Sequence, residues 1–342
     1  MNHFNRTLGI TIPTYRRPEW LQVAVQSMIV AARPFGVPIF LVDDSGDDTN
    51  EVVVSELQRE YEFVFHERNE RNIGIDRNIA KSVNVCDCEY AWPLGEDDLL
   101  RDDAIEQVLH RLDRNHERPA FISVNYTLLN EDYSAVLRER FMPIKTDGVM
   151  ASEQFLRRWG WVIGFIGACV INKSLWEKID PSPYLDTYWA HVGIIMESVR
   201  HRQVTMIAEP LVLKRVGNPR VYSWSDSTFQ VVDGWKDLMT RMVPIFGEEA
   251  CRDGNDSFER VFGLHGRFLI YARGEGLYGS DNFRQRILGK GKGPFYVASA
   301  WIIAHMPRSL ARLLVQTSRK ARILGNRFRG AIQLPELPPN LS

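Results

Sequence analysis

Three acids in succession, Glu96-Asp97-Asp98, follow an apolar run from Tyr90 to Leu94. Acids this close repel one another, so a fold that sets them at the end of a buried strand usually brings a cation there. Hard oxygen ligands suit Mg²⁺ or Mn²⁺, and those ions suit phosphates. A solvated turn, or the acidic first turn of the next helix, explains the same residues without a metal. A second apolar run, Ile39 to Val42, ends in Asp43-Asp44. A carboxylate at such a strand end can accept hydrogen bonds from a ribose or a base, or can cap the turn at Ser45-Gly46. A third stretch, Asn72-Ile-Gly74-Ile-Asp-Arg77-Asn78, places a glycine turn at a helix start with an arginine one turn in. A helix N-terminus with arginine suits a diphosphate; an ordinary cap with a surface arginine is the plainer alternative.

Such residues must be positioned by elements that the hydrophobic pattern outlines. Leu8 to Ile12 reads as a strand and Pro13-Thr-Tyr-Arg-Arg-Pro18 as a turn. Glu19 to Ala32 is helical, with Pro18 suited to its first turn. Strand-like and helical runs then alternate to about Arg114, and the strands are continuously apolar. That is the signature of a mostly parallel α/β sheet covered on both faces, whose ligands bind beyond the C-terminal strand ends. Val204 to Val216 suggests a strand pair broken at Pro210, and the chain from Phe229 on is mainly helical. The expected organisation is one α/β domain over 1–220 and a helical region over 221–342.

The ordered run Ile12-Pro-Thr-Tyr15, Val42-Asp-Asp-Ser45, Asn72-x-Gly74-x-x-Arg77-Asn78 and Gly95-Glu-Asp-Asp98 resembles glycosyltransferase family 2 on the GT-A fold. The Leu-Gly-x-Asp-Asp form has the flavour of that family's abequosyltransferase-like group. The resemblance covers about 7–115 well and 160–205 loosely. It implies that Pro13, Thr14, Tyr15 and Arg16 border the base of a nucleotide-diphosphate sugar. Asp43 binds base or ribose with Asp44 in support, and Asn72, Gly74 and Arg77 meet base or diphosphate. Glu96 and Asp97 touch the ribose, and Asp97 and Asp98 hold Mn²⁺ or Mg²⁺. In the family an aspartate usually opens the acidic motif; here that position is Gly95, so the ribose contact is rearranged.

Inverting enzymes of this class need a base for the acceptor hydroxyl. Aligned with the family's catalytic aspartate stands His191, and Asp186 lies five residues earlier; both remain candidates. An imidazole is a competent base near neutral pH, but a helix-start histidine packed beside Trp189 is the bland alternative. Trp159, Trp161, Tyr188 and Trp189 are either an acceptor-stacking wall or core aromatics.

The formal net charge is -1, yet from Asn282 to Pro335 there are eleven Lys/Arg and no Asp/Glu. Arg308, Arg312, Arg319 and Arg322 fall on one side of a helical pattern, with Leu310, Leu313, Leu314, Ala321 and Leu324 opposite. Such a helix can lie in an anionic membrane interface or dock on the acidic body. Nucleic acid is a poorer fit, because Phe328 is the single aromatic among the arginines. The N-terminal residues lack the apolar core of a signal peptide, and four cysteines are too few for a disulfide framework. The expectation is a cytoplasmic protein, peripheral on the inner face of the cytoplasmic membrane. It would transfer a sugar to a glycan acceptor, lipid-linked, in bacterial surface polysaccharide assembly. A nucleotidyltransferase, or a nucleotide-sugar-binding protein without turnover, are the rival readings.

Overall fold

The computed structural model describes residues 4–114, 118–216 and 228–327. Strand and helix alternate at first: β1 (Leu8–Thr14), α1 (Pro18–Ala32), β2 (Ile39–Asp43), α2 (Glu51–Glu60), β3 (Val64–Arg68), α3 (Ile75–Val85) and β4 (Tyr90–Pro93). These four strands are parallel, in the order β3-β2-β1-β4. Leu8, Ile10, Ile12, Ile39, Tyr90 and Trp92 are all fully buried. Cover on both faces is the reason the runs are apolar without alternation. The strand order reverses between β1 and β4, so a crevice opens beyond their C-terminal ends.

β1 continues through Pro13, which the sequence pattern places in a turn. The Ile10 amide donates to the Pro38 carbonyl on the β2 side. By alternation the nitrogen of Pro13 faces β4, which ends at Pro93, paired with Thr11. The missing N–H therefore interrupts no ladder bond.

The chain continues with β5 (Leu99–Leu100), α4 (Ala104–Arg114), β6 (Phe121–Leu129), β7 (Val136–Arg138), β8 (Gly148–Ala151) and α5 (Ser152–Trp159). Next come β9 (Cys169–Asn172), α6 (Lys173–Trp176), α7 (Ala190–Ser198) and β10 (Gln203–Arg215). The sheet extends past β4 as β9-β6-β10-β5, with β7 on β6 and β8 on β10. β9 is antiparallel to both neighbours, and β5 is antiparallel to β10. The sheet is therefore parallel in its first half and mixed in its second. The segment expected as two strands split at Pro210 is a single strand of 13 residues. Its register against β6 slips on either side of Pro210, a bulge that absorbs the proline.

Six helices follow: α8 (Thr228–Phe246), α9 (Glu248–Phe262), α10 (Gly266–Glu275), α11 (Ser280–Arg286), α12 (Pro294–His305) and α13 (Arg308–Arg327). The boundary expected near residue 220 falls outside the described residues. Trp235, Leu238 and Met242 of α8 and Phe258 of α9 share one core with the sheet. A smaller core gathers Phe229, Leu269, Tyr278, Phe283 and Ile303. Among the described residues, no helix is long and apolar enough to cross a membrane.

Candidate active site

A cleft of about 440 Å³ opens beyond the ends of β1, β2 and β4, within the size range of small-molecule sites. Pro13, Thr14 and Tyr15 form one wall, and Asp44, Asn72, Gly74 and Arg77 a second. Gly95, Glu96 and Asp97 form the floor, with Asp186 and Tyr188 facing them. Residues far apart in sequence thus meet where the strand order predicts a ligand.

The two aspartates after β2 divide their work differently from expectation. Asp43 is buried; its Oδ1 accepts the Ser45 amide at 2.9 Å and the Asn50 amide nitrogen at 3.1 Å. It does not line the cleft. Asp44 does, and it organises the opposite wall. Its carboxylate accepts Asn69 Nδ2 at 2.8 Å and the backbone amides of Ile73 at 2.8 Å and Gly74 at 3.1 Å. Gly74 sits at φ 88°, a conformation that favours glycine, and caps α3. Arg16 also points away from the cleft, paired with Asp47 at 2.6 Å. Its neighbour Arg17, unmarked in the sequence reading, lines the cleft instead. Arg17 reaches 3.4 Å from Glu96 Oε1. Glu96 Oε2 accepts the Thr14 hydroxyl at 2.5 Å and the Tyr15 amide at 2.8 Å, which fixes the Pro13–Tyr15 wall. Burial pushes its carboxyl up to about 7, against the pull of Arg17 and these two bonds.

Asp97 and Asp98 are held by a residue that the sequence motif does not contain. Arg215, at the end of β10, is fully buried, with its guanidinium carbon 3.8 Å from the centre of the Trp20 ring. Its Nε and Nη2 donate to Asp97 Oδ2 at 3.1 and 3.0 Å, and its backbone amide donates to Asp98 Oδ1 at 3.1 Å. Burial, helped by Asp97, pushes the Asp98 carboxyl up to about 8. The other two oxygens converge over Gly95. A Cβ on Gly95 would lie 2.3 Å from Asp98 Oδ2 and 3.5 Å from Asp97 Oδ1. This cradle, with no side chain at residue 95 to fill it, sets two carboxylate oxygens near one point; Asp97 lines the cleft, whereas Asp98, 4% exposed, does not. The cradle fits Mn²⁺ or Mg²⁺, which is commonly held by one or two carboxylates and completed by substrate phosphates and water. No group of three or more His, Cys, Asp or Glu gathers in metal-binding fashion among the described residues.

Across the cleft, Asp186 and Tyr188 have φ of 63° and 66°, a strained left-handed conformation for side chains other than glycine. Asp76, in the first turn of α3, imposes it. Its buried carboxylate accepts the amides of Thr187 and Tyr188 at 3.0 Å each and of Ala190 at 3.4 Å. Gly234 of α8 closes on the loop from behind, where a Cβ would meet the Thr187 carbonyl at 2.0 Å. The Asp186 carboxylate is 73% exposed and pairs with both terminal nitrogens of Arg77, at 2.6 and 3.1 Å. That hydrogen bonding holds it below the ordinary aspartate range.

His191, the other base candidate, is not brought to the cleft. It is 4% exposed within α7, with Nε2 3.0 Å from the Ile163 carbonyl and Nδ1 buried without a partner. Burial lowers it to about 4. The 160–164 turn covers α7 on the side that the histidine faces, so the ring is core. Trp159, Trp161 and Trp189 are likewise core residues. Of the four aromatics, Tyr188 lines the cleft.

Residues 10–177 match the Glycosyl transferase family 2 profile. The abequosyltransferase RfbV of Salmonella typhimurium is 25% identical over 223 residues, spanning 62% of this chain and 67% of that protein. An uncharacterized glycosyltransferase of Methanocaldococcus jannaschii, MJ1057, is 23% identical over 139 residues, 40% of this chain and about half (47%) of that protein. In fold the chain is similar to TarS 1-349 of S. aureus crystallised with UDP-GlcNAc. The TM-score is 0.58 at 10% identity, covering 94% of this chain and 89% of that one. The same TarS segment with UDP gives 0.56. Residues 10–177 form a glycosyltransferase family 2 domain, within a chain that has the mixed α/β architecture of the GT-A fold.

Proposed function

We propose that this family 2 glycosyltransferase moves one hexose or deoxyhexose, with inversion, from a nucleoside-diphosphate donor to a hydroxyl of a lipid-linked glycan in bacterial surface polysaccharide assembly. The observation that carries the reading is the single cleft joining Pro13–Tyr15, Arg77, Gly95–Asp97 and Asp186. The likeness to an abequosyltransferase and to a protein crystallised with UDP-GlcNAc supports such a donor.

Pro13, Thr14 and Tyr15, fixed by Glu96, border the base. Arg77 and the N-terminus of α3 meet the diphosphate. Asp97 Oδ1 and Asp98 Oδ2 would hold the divalent cation, which supplies positive charge to the departing diphosphate when bound. Asp186 accepts the proton of the acceptor hydroxyl. The acceptor oxygen bonds to the anomeric carbon as that carbon's bond to the diphosphate oxygen breaks. While Arg77 holds Asp186, the carboxylate is a weak base. A diphosphate that draws Arg77 away raises its basicity, so donor binding readies the base.

Isothermal titration with nucleoside diphosphates, with and without Mn²⁺, tests this reading together with hydrolysis of a panel of nucleotide sugars. One nucleoside diphosphate is expected to bind with metal dependence, and Asp98→Ala to abolish hydrolysis of the matching donor. If none binds, the reading fails; metal-dependent binding without turnover of any donor supports the non-catalytic rival. The nucleotidyltransferase reading falls with the family assignment.

A further inference from the structure

Helix α13 is amphipathic as its sequence implies, but it is turned against expectation. The buried Ala311 and the arginine side meet α10: Arg312 Nε donates to the Gly274 carbonyl at 2.9 Å, and the Arg308 guanidinium lies over Gly276. Leu310, Leu313 and Leu314 face solvent at 44, 54 and 41% exposure. The side chains of Arg319, Ala321, Arg322 and Leu324 lie outside those described. A helix seated by Ala311 and its arginine side, with its leucines outward, exposes apolar surface to water and suits an apolar medium.

Helix α12 repeats the pattern. Ala300, Ile303 and Ala304 pack into the small core, and the opposite face offers Phe295 at 92%, Trp301 at 51% and Ile302 at 57% exposure. With Leu288, the 27 residues from 288 to 314 hold seven of the thirteen exposed large hydrophobics among the described residues. Isolated surface apolar side chains are ordinary; this concentration is not. Arg284 and Lys292 line the groove formed by Phe283, Leu288, Trp301 and Ile302, and no acid occurs from Asn282 to Pro335. Aromatic and aliphatic side chains rimmed by cations are complementary to an anionic lipid headgroup layer over acyl chains.

We propose that the outward faces of α12 and α13, with the cationic α11–α12 turn, form a docking surface for an anionic phospholipid bilayer. The surface connects to the acceptor side of the cleft. Arg286 pairs with Asp233 of α8 at 2.8 Å. One turn earlier on that helix, Gln230 accepts the Tyr188 hydroxyl at 3.1 Å. Helix α8 thus joins the patch to the Asp186–Tyr188 wall of the cleft. This proposal deepens the transferase reading by naming where its acceptor is met, but it is tested without reference to catalysis.

The test is flotation of the full chain with phosphatidylcholine vesicles, with and without phosphatidylglycerol, in low and high salt. Vesicles containing phosphatidylglycerol should carry the protein at low salt and release most of it at high salt. The triple variants Phe295→Ser/Trp301→Ser/Ile302→Ser and Leu310→Ser/Leu313→Ser/Leu314→Ser should each lose about tenfold in binding. Donor hydrolysis and melting temperature should be unchanged in both. Unchanged flotation of both variants, or no flotation of the parent chain, overturns the proposal. So does light scattering showing a dimer that the variants dissolve, since the patch is then an interface between copies. Failure here leaves donor hydrolysis intact, and failure of hydrolysis leaves flotation intact, so the two readings fail separately.

Discussion

The two sides of the cleft hold their carboxylates by opposite means. On the donor side, Asp44, Glu96, Asp97 and Asp98 are buried or nearly so, and accept bonds from the protein's own amides, hydroxyls and guanidinium. On the acceptor side, Asp186 is exposed on a strained loop, and one arginine shared across the cleft is its partner. Prepaid hydrogen bonds suit the proposed donor site, whose charge must be in place before substrate arrives. The proposed base must be able to change partner and protonation state, and Asp186 stands on a loop that a second carboxylate, Asp76, holds from beneath.

That contrast can be broken most severely on the donor side. Asp97→Ala removes a cradle oxygen and the carboxylate that the buried Arg215 guanidinium pairs with. Transfer should fall by about 10³-fold or more, with a lower melting temperature; transfer within tenfold of the parent would remove Asp97 from the site. Gly95→Asp restores the acid that usually opens the motif. Here the new side chain collides with Asp98 Oδ2, and steady-state kinetics should show transfer lowered about 10²-fold through lost metal and orientation. A gain in activity would mean that the cradle is misplaced. Asp76→Asn acts on the other side. It keeps one acceptor oxygen but sets an NH₂ group against an amide on the other side, which weakens the clamp, so kcat should fall about tenfold while the donor dissociation constant stays within twofold. A weaker donor affinity would show that Asp76 serves α3 rather than the Asp186 loop.

The smallest effect on catalysis is expected at His191. Its folded value is lowered to about 4 while an unfolded histidine titrates near 6.5. The unfolded chain therefore binds a proton that the folded chain refuses. The contribution of the neutral ring is complete above about pH 6.5 and is lost as pH falls toward 4. Denaturant titrations from pH 7 to 4.5 should show the stability of His191→Gln falling roughly 2 kcal/mol less than that of the parent. Transfer at pH 7.5 should change little.

Much of the cleft wall beyond β1, β2 and β4 was legible because its groups sit at the ends of apolar strands, where chain direction alone predicts a ligand. The finer assignments were not. Asp43 and Asp44 are neighbours, and successive side chains leave a strand in opposite directions; Asn50 of α2 claims the first and the 69–74 loop the second. Arg215 was invisible to local pattern because it meets Asp97 from 118 residues away. A basic pair, Lys214-Arg215, closing an apolar strand was the one signal for it. His191 was favoured by alignment with a family position, which says nothing of depth. The turn that covers it belongs to another segment, and burial of that kind is set by packing alone. Asp186 carried the weaker sequence signal, and the cleft is where the structure puts it.

The central claim is that Asp186, the partner that Arg77 leaves when a diphosphate binds, takes the acceptor's proton. Single-turnover transfer by Asp186→Asn, measured beside the dissociation constant of the donor, tests it most directly. The account predicts a transfer rate reduced about 10²-fold or more with donor affinity unchanged or tighter, because Arg77 is freed for the diphosphate. A parent-like transfer rate in Asp186→Asn would contradict it.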